Sequence, residues 1–531
     1  PAAKLAATSL DLWSSLRPPG DPEVREAQRR QGAVLIDLGH YDEAETLLRR
    51  ALAERGGRGE GLVGGGAAAG QATDVRLAET LDNLAGALRG AGKLPEAESL
   101  IREALEIRKR RFGDDSPETA VSLNNLALML RERGRFQEAE PLYHQALAIR
   151  RRTLGPDHPD IAGTLNNLAA LLRQQGRLVE AESAARESLV INRKLFGEDN
   201  PNTIQSENAL AAIVQSLGRY DEAETIDREV LAFWRRHQGE EHPNALASLN
   251  NLASVLKDKG DYRAAEPMYR TLVETFPRVV GEKHPFTAVA LTHLGGILRD
   301  EERWDESETL LRRALGIQTA LRGAEHPDVA GVLAQVGTLE TRRGRFAEAE
   351  PLLRQALSIR EKALGPEHAA TAASRLALAA LLRERGSSVA PNGAGAASDA
   401  DLTSAVAEAR AALTALRRDW PAGHPEIALA AIEVARAEAA LRPAGREAAP
   451  ADTEILDLLR EAVGIRKEVF GDGSWKCAEA RLYLAELLTA LGRSAEAKPL
   501  LEDSLRVLRS ERGDACDLTR RAGRDLAALP A

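Results

Sequence analysis

Leu123-Asn-Asn-Leu-Ala127, followed by Gly134-Arg-Phe-Gln-Glu-Ala-Glu140 and then by Gly155-Pro-Asp-His-Pro159, recurs along this chain in imperfect copies. A fixed period of this size indicates a repeat array, in which each unit buries its apolar face against its neighbours. The period is 42 residues, as the spacing of five glycines shows: Gly92, Gly134, Gly176, Gly218 and Gly260.

Each unit contains two helical patterns. The first has apolar residues at the i, i+3, i+4 and i+7 spacing of one buried helix face, namely Leu123, Leu126, Ala127 and Leu130. Gly134 ends this pattern, as a glycine just past a helix does, and the second pattern resumes at Phe136. Because no stretch alternates with the period of two that strands require, we predict an all-α protein.

Small residues recur where the two helices of a unit should cross, and larger side chains there would overpack the contact. In the first helix they are Ala85, Ala127, Ala169, Ala211, Ala253, Gly295 and Gly337. We interpret this column as core.

The spacing Leu–Leu-Ala–Leu, Gly-x-aromatic, Ala, aromatic, Ala-Leu resembles the tetratricopeptide repeat. The Asn-Asn-Leu-Ala and Gly-Pro-Asp-His-Pro motifs are similar to those of its 42-residue kinesin-light-chain type. The resemblance is close over 76–368 and more distant over 23–53 and 370–512. It implies a right-handed superhelical solenoid of tandem helix-turn-helix repeats, whose first helices line a concave, peptide-binding groove. The heptad coiled coil that joins kinesin light chains to a motor is absent, so a motor partner is not implied.

Breaks in the period divide the chain into five parts. They are a partial repeat or leading helix at 1–22, a first repeat with a Gly/Ala-rich insertion at 23–75, the regular array at 76–369, degenerate repeats with insertions at 370–475, and a last repeat with a capping helix at 476–531. The insertions at 54–74, 387–401 and 443–452 have the composition of flexible loops. Since the chain opens in mid-repeat at residues 2–17, we expect the natural chain to be longer.

Composition narrows the class of partner. The 531 residues are 44% apolar and 28% charged, which is typical of a folded chain, and the net charge of −9 argues against a nucleic-acid binder. No apolar run approaches the ~20 residues of a membrane span.

Cys477 and Cys516 form no CxxC pair, which argues against a zinc module and favours a reducing, cytoplasmic location. Arginine-rich segments, such as 108–111 and 150–152, end the second helices, where cations complement the helix dipole.

Six histidines share one linker position: His158, His242, His284, His326, His368 and His424. The same position holds Ser116 and Asn200, and proline follows in most units. Serine or asparagine before proline is typical of a helix N-cap. We therefore predict that these histidines cap helices and that they bind no metal.

Two polar columns run along the first helices. The amide column comprises Asn83, Asn125, Asn167, Asn251, His293 and Gln335. The preceding column, one residue earlier, comprises Asp82, Asn124, Asn166, Asn208, Asn250 and Thr292. Asparagine is a poor helix former, but its amide matches the donor and the acceptor of a peptide unit. These side chains either contact a bound peptide or hydrogen bond between neighbouring repeats.

A third column on the first helices is basic, and it favours an acidic ligand unless it is only a solvated face. It comprises Arg89, Arg131, Arg173, Lys257, Arg299 and Arg383.

We predict from these patterns a non-enzymatic scaffold that holds an extended peptide or a partner protein in its groove. The chain lacks a nucleophile elbow, a phosphate-loop signature and a His-Glu-x-x-His motif, so no cofactor or catalytic residue is indicated. The alternative is the regulatory or sensor arm of a larger signalling protein, whose kinase, NTPase or protease domain lies outside these residues.

Overall fold

The computed structural model describes residues 2–37, 40–56, 67–388, 399–441 and 450–529. Over these ranges the chain is all α, with 24 helices and no strand, which confirms the predicted fold class. The helices are α1 (Ala2–Leu16), α2 (Pro22–Asp37), α3 (Tyr41–Gly56), α4 (Ala67–Gly90), α5 (Leu94–Phe112), α6 (Pro117–Glu132), α7 (Phe136–Leu154), α8 (Pro159–Gln174), α9 (Leu178–Phe196), α10 (Pro201–Ser216), α11 (Tyr220–Gln238), α12 (Pro243–Lys259), α13 (Tyr262–Val279), α14 (Pro285–Asp300), α15 (Trp304–Arg322), α16 (Pro327–Arg342), α17 (Phe346–Leu364), α18 (Ala369–Ser387), α19 (Asp399–Asp419), α20 (Pro425–Ala440), α21 (Pro450–Phe470), α22 (Trp475–Ala490), α23 (Ser494–Arg512) and α24 (Asp517–Ala527).

Helices α2 to α23 form eleven consecutive pairs, and α1 and α24 are single helices at either end of the described chain. The leading helix that the sequence predicts at 2–17 is α1, and the predicted capping helix is α24. None of the described helices is both long enough and apolar enough to cross a membrane.

Side-chain caps begin the first helices, as the linker pattern predicts. The Nδ1 atom of all six linker histidines accepts a hydrogen bond from the backbone N–H two residues later, at 3.0–3.2 Å. Ser116 Oγ accepts from the Thr119 N–H and Asn200 Oδ1 from the Asn202 N–H, so these two side chains also cap their helices. The capping prediction is confirmed. Among the described residues there is also no group of three His, Cys, Asp or Glu side chains that could hold a metal ion.

Close helix crossings explain the column of small residues. A Cβ atom added to Gly295 would lie 2.7 Å from Cγ of Leu311, and one added to Gly337 would lie 2.7 Å from Cγ of Leu353. Ala127, in the same column, is completely buried. The interpretation of this column as core is confirmed.

The insertions differ in part from the prediction of loops. Residues 67–74 belong to α4, and residues 54–56 end α3. The loop prediction is therefore wrong for 67–74, where an alanine-rich sequence extends the helix because alanine is the best helix former. Residues 387, 399–401 and 450–452 lie at helix ends, while 57–66, 389–398 and 442–449 lie outside the described residues.

The arginines at the ends of the second helices divide into two groups. Lys109, Arg110 and Arg111 lie in the last turn of α5, as the dipole interpretation predicts. Arg108 and Arg150 are instead buried, and they hydrogen bond to hydroxyls of the next first helix, Ser122 and Thr164. For these two the interpretation is incomplete, because their burial depends on the neighbouring repeat.

The chain divides into two compact units. Unit 1 comprises residues 1–172 and 183–206, and unit 2 comprises residues 173–182 and 207–531.

Within unit 2, linkers of late repeats bind the helix turns of early repeats, and we call this set of contacts the unit 2 seam. Its hydrogen bonds include those from His368 Nε2 to Gln174 O (2.6 Å), His424 Nε2 to Ser216 O (2.8 Å), Trp475 Nε1 to Gly260 O (3.0 Å) and Asp517 N to Glu302 Oε1 (2.9 Å). The first three bonds join helix pairs that are five places apart in the chain, and the fourth joins the single helix α24 to the turn of the pair α14 and α15, at the same spacing. The regular register shows that the seam follows from the repeat geometry.

Candidate binding surface of the first helices

The amide column occupies the partly accessible face of the first helices. All six of its members are half-buried, and so are Asn124, Asn166, Asn208 and Asn250 of the preceding column. The adjacent positions Leu123, Leu126 and Ala127 of α6 are buried. The 3.6-residue periodicity thus separates an apolar packing face from a polar face on the same helix.

Several of these side chains hydrogen bond between neighbouring repeats. Asn167 Nδ2 donates to Asn124 Oδ1 at 3.2 Å within unit 1, and Asn251 Nδ2 donates to Asn208 Oδ1 at 2.7 Å within unit 2. The amide of Asn125 likewise hydrogen bonds to Asp82. These bonds are the second of the two roles considered above. Because each amide carries both a donor and an acceptor, one such bond does not exhaust its capacity.

The last two members of the amide column differ from asparagine in their environment. The His293 ring stacks on Tyr269 with 5.3 Å between ring centroids, and burial lowers the pKa of His293 to about 3. This imidazole is therefore neutral at pH 7. Gln335 Oε1 accepts a hydrogen bond from Arg299 Nη1 at 2.5 Å, which links this column to the basic column.

Most of the basic column is paired with acids of the chain. Arg89 lies 3.1 Å from Glu132, Lys257 lies 2.9 Å from Asp258, Arg299 lies 2.8 Å from Asp300, and Arg383 lies 2.7 Å from Glu433. Burial alone would raise the pKa of Asp258, but Lys257 and Lys476 lower it on balance. Local acids thus offset much of the positive charge that the sequence presents to a ligand.

Arg131 and Arg173 complete the basic column. Arg131 is half-buried, whereas Arg173 is exposed and lines a cavity of unit 2. The cavity has a volume of about 340 Å³, and its lining is polar except for one alanine: Arg173, Ala212, Gln215, Ser216, Asp227, Asn250, Asn251, Ser254 and Asp258. Three predicted site residues, Arg173, Asn250 and Asn251, therefore meet in one cavity.

Asp227 is a member of this cavity that the sequence analysis missed. Its side chain is only 2% exposed, and burial raises its pKa to about 7. The available signal was the 42-residue column to which it belongs, since Tyr143 and Tyr269 occupy the equivalent buried positions. Asp227 is thus an acid at a buried position where Tyr143 and Tyr269 are uncharged, and this difference could have marked it as a candidate site residue.

Comparison with protein families gives two matching models, both described as tetratricopeptide repeat. One matches residues 76–151, 122–194, 160–232, 202–278, 286–362 and 328–388. The other matches residues 26–50 and 478–503. Together they cover more than half of the chain. No curated protein matches the chain.

Solved structures of several repeat proteins are similar to this chain. A proposed kinesin light chain of Podosopora anserina, with nearly identical TPR-like repeats, is 25% identical and covers 39% of this chain and 96% of its own, with a TM-score of 0.34. BtubC (BKLC) from P. vanneervenii is 24% identical and covers 43% of this chain and 91% of its own, with a TM-score of 0.35. A Rap protein complexed with Competence and Sporulation Factor is 16% identical and covers 66% of this chain and 96% of its own, with a TM-score of 0.42.

Proposed function

The chain belongs to the tetratricopeptide repeat family, whose arrays are protein-interaction scaffolds, and from this premise we propose that it is a non-enzymatic scaffold for an extended peptide of a partner protein. The binding surface is the polar face of the first helices. In unit 1 it includes Asn83, Asn125 and Asn167, and in unit 2 it includes Asn251, His293 and Gln335.

The observation that carries the proposal is the half-buried amide at one position of successive first helices in unit 1. Packed helices lie ~8–10 Å apart, and an extended chain advances ~3.3 Å per residue. Successive amides therefore match about every third residue of a peptide. This spacing suits a long chain better than a small metabolite.

The charge of the partner is less strongly indicated. The basic column favours an acidic peptide, and Arg131 supports that preference. Lys257 and Arg299 support it less, because Asp258 and Asp300 already neutralise them. We accordingly propose acidic residues in the partner opposite Arg131.

We also propose a reducing, cytoplasmic location. The two free cysteines, one buried and one half-buried, support it, since such a compartment keeps thiols reduced.

Replacing Asn125 and Asn167 together by alanine tests the proposal. The partner is first identified by capture on the intact chain and mass spectrometry, and its affinity is then measured by calorimetry. Each amide-to-backbone hydrogen bond contributes ~0.5–1.5 kcal/mol, so we expect roughly 5- to 150-fold weaker binding. The control is Gln145→Ala, which removes an exposed amide from the second helix α7.

Unchanged affinity of the double variant would contradict the proposal. Unfolding of the variant, seen by circular dichroism, would show instead that these amides serve mainly as bonds between repeats. Their observed contacts with Asp82 and Asn124 make that measurement necessary.

A further inference from the structure

One position of the second helices changes character in α11. At the 42-residue spacing it is Tyr143 in α7, Ala185 in α9, Asp227 in α11, Tyr269 in α13 and Leu311 in α15, and all five side chains are almost completely buried. A buried carboxyl without a partner is costly, because neither water nor another group replaces its solvation. Since uncharged side chains fill this position in the other second helices, helix packing does not explain the acid in α11.

The acid lines the polar cavity of unit 2 described above. A carboxyl group is much smaller than the phenol ring that Tyr269 places at the equivalent position, and Asp227 is one of the cavity's lining residues. The Asp227 Oδ1 and Asn250 Oδ1 atoms are both buried, and neither accepts a hydrogen bond from any residue that the structure describes. Two buried acceptor atoms, on residues that line the cavity, therefore lack donors.

Gln215, a donor of the cavity lining, is already engaged. Gln215 Nε2 donates to Ser254 Oγ at 2.9 Å and to Asp258 Oδ2 at 2.8 Å. Asp258 is further paired with Lys257, whereas burial is the only influence that shifts the pKa of Asp227. The chain thus satisfies one carboxylate of the cavity and leaves the other for an external group.

We propose that this cavity binds the guanidinium group of an arginine side chain of the partner protein, with Asp227 and Asn250 accepting its hydrogen bonds. The identification of the arginine as a partner's rests on the scaffold function proposed above. The cavity is thus a specificity pocket for one basic residue beside a surface whose basic column favours acidic ones.

Guanidinium is the cation that fits these acceptors. It offers five N–H donors in a planar fork, so one group can reach acceptors on two helices, α11 and α12. It is also more weakly hydrated than an ammonium group, which lowers the cost of entering a buried site. The pairing would also give the buried Asp227 carboxylate an opposite charge.

Two short peptides that differ in one group test the proposal. The probes are acetyl-Ala-Ala-Arg-Ala-Ala-amide and its citrulline counterpart, which keeps the shape and loses the charge. Binding to the full chain is followed by ligand-observed NMR titration at pH 7.5. We expect saturable binding of the arginine peptide and roughly tenfold or more weaker binding of the citrulline peptide, because a charge-assisted hydrogen bond is lost.

Two protein variants complete the experiment. Asp227→Asn, nearly isosteric but neutral, should reduce the affinity for the arginine peptide roughly tenfold or more. Glu229→Gln, at an exposed position of the same helix, should leave it unchanged. Circular dichroism shows whether each variant is folded, and Asp227→Leu serves as a second variant, since leucine occupies the equivalent position in α15.

Equal binding of the two peptides, or no saturable binding of the arginine peptide, would overturn the inference. So would an Asp227→Asn variant, or an Asp227→Leu variant if the first does not fold, that keeps full affinity. These results are separable from the test of the scaffold. A captured partner whose binding depends on Asn125 and Asn167 but not on Asp227 would uphold the proposed function and refute the arginine pocket.

Discussion

Linker histidines act through both ring nitrogens where they join the unit 2 seam. In His368 and His424 the Nδ1 atom accepts the capping hydrogen bond, while Nε2 donates to a carbonyl oxygen of an earlier repeat. Only the neutral tautomer with its proton on Nε2 can make both bonds. The residue that seemed equivalent to serine or asparagine as a cap therefore has a second contact that those side chains are too short to make.

His424 should make unit 2 sensitive to acid. Burial lowers its pKa to about 4, and the hydrogen bond to Ser216 raises it only partly. Because the folded pKa lies below the unfolded value of about 6.5, the stabilisation is fully present above pH 6.5 and is lost as the pH falls toward 4. We expect the free energy of unfolding to fall by up to ~3 kcal/mol over this window.

The measurement is denaturant unfolding at pH 7 and pH 4.5 for the natural chain and for His424→Asn, which retains a capping side chain as Asn200 does. The variant should lose less stability on acidification. His144→Asn, at an exposed position of α7, is the control. Identical pH dependence of the natural chain and His424→Asn would refute this role.

At the scale of elements, the two helices of some pairs cross so closely that the contact leaves no space for a Cβ atom. Gly295 of α14 faces Leu311 of α15, and Gly337 of α16 faces Leu353 of α17, in each case closer than a Cβ atom permits. Where the second helix presents Tyr143 instead of leucine, the first helix carries Ala127.

Gly295→Ala should destabilise the chain by about 1–3 kcal/mol, because the new methyl group displaces Leu311 from a packed contact. Gly316→Ala provides the control in the neighbouring helix α15, since nothing lies within 4 Å of a Cβ atom there. That variant should instead be stabilised by roughly 0.5–1 kcal/mol, the helical preference for alanine. Thermal and denaturant unfolding measure both changes, and equal effects of the two substitutions would show that the crossing is not tightly packed.

At the scale of the whole molecule, the unit 2 seam adds long-range contacts to the contacts between neighbouring repeats. The ring of Trp475 lies 5.7 Å from that of Tyr262, and its Nε1 donates to Gly260 O. The guanidinium of Arg512 lies over both rings. Burial lowers the pKa of the adjacent Lys476 to about 8. Unit 2 should therefore unfold more cooperatively than a solenoid stabilised by neighbours alone.

Gly260→Ala and Gly134→Ala separate the seam from the turn. Both glycines have a positive φ, so each substitution carries a similar backbone cost of about 1–2 kcal/mol. A Cβ atom at Gly260 would also lie 2.8 Å from Trp475 Nε1, whereas nothing lies within 4 Å at Gly134. We expect Gly260→Ala to cost about 1 kcal/mol more, through the lost hydrogen bond and its packing. Equal costs in denaturant unfolding, with unchanged hydrogen exchange of the Trp475 indole, would mean that the seam contributes nothing.

The sequence by itself determined the paired helices, the capping histidines and the small residues at the crossings. These features depend on residues within one repeat, and the recurrence of the repeat shows each pattern several times. The amide column was equally visible, but its two roles were not separable, because the bonds from Asn167 and Asn251 depend on how neighbouring helices stack.

Only the tertiary structure decided which polar residues are buried and which distant repeats meet. In sequence Arg108 resembles the exposed Arg110, but the next first helix buries Arg108. Asp227 is distinguished only by its burial and by the cavity that it lines. The seam joins repeats that are five places apart within unit 2. It therefore depends on a small rotation per repeat that accumulates along the array. The sequence of a single repeat does not specify the accumulated rotation. For this reason the local pattern predicts the repeat but not the contact between distant repeats.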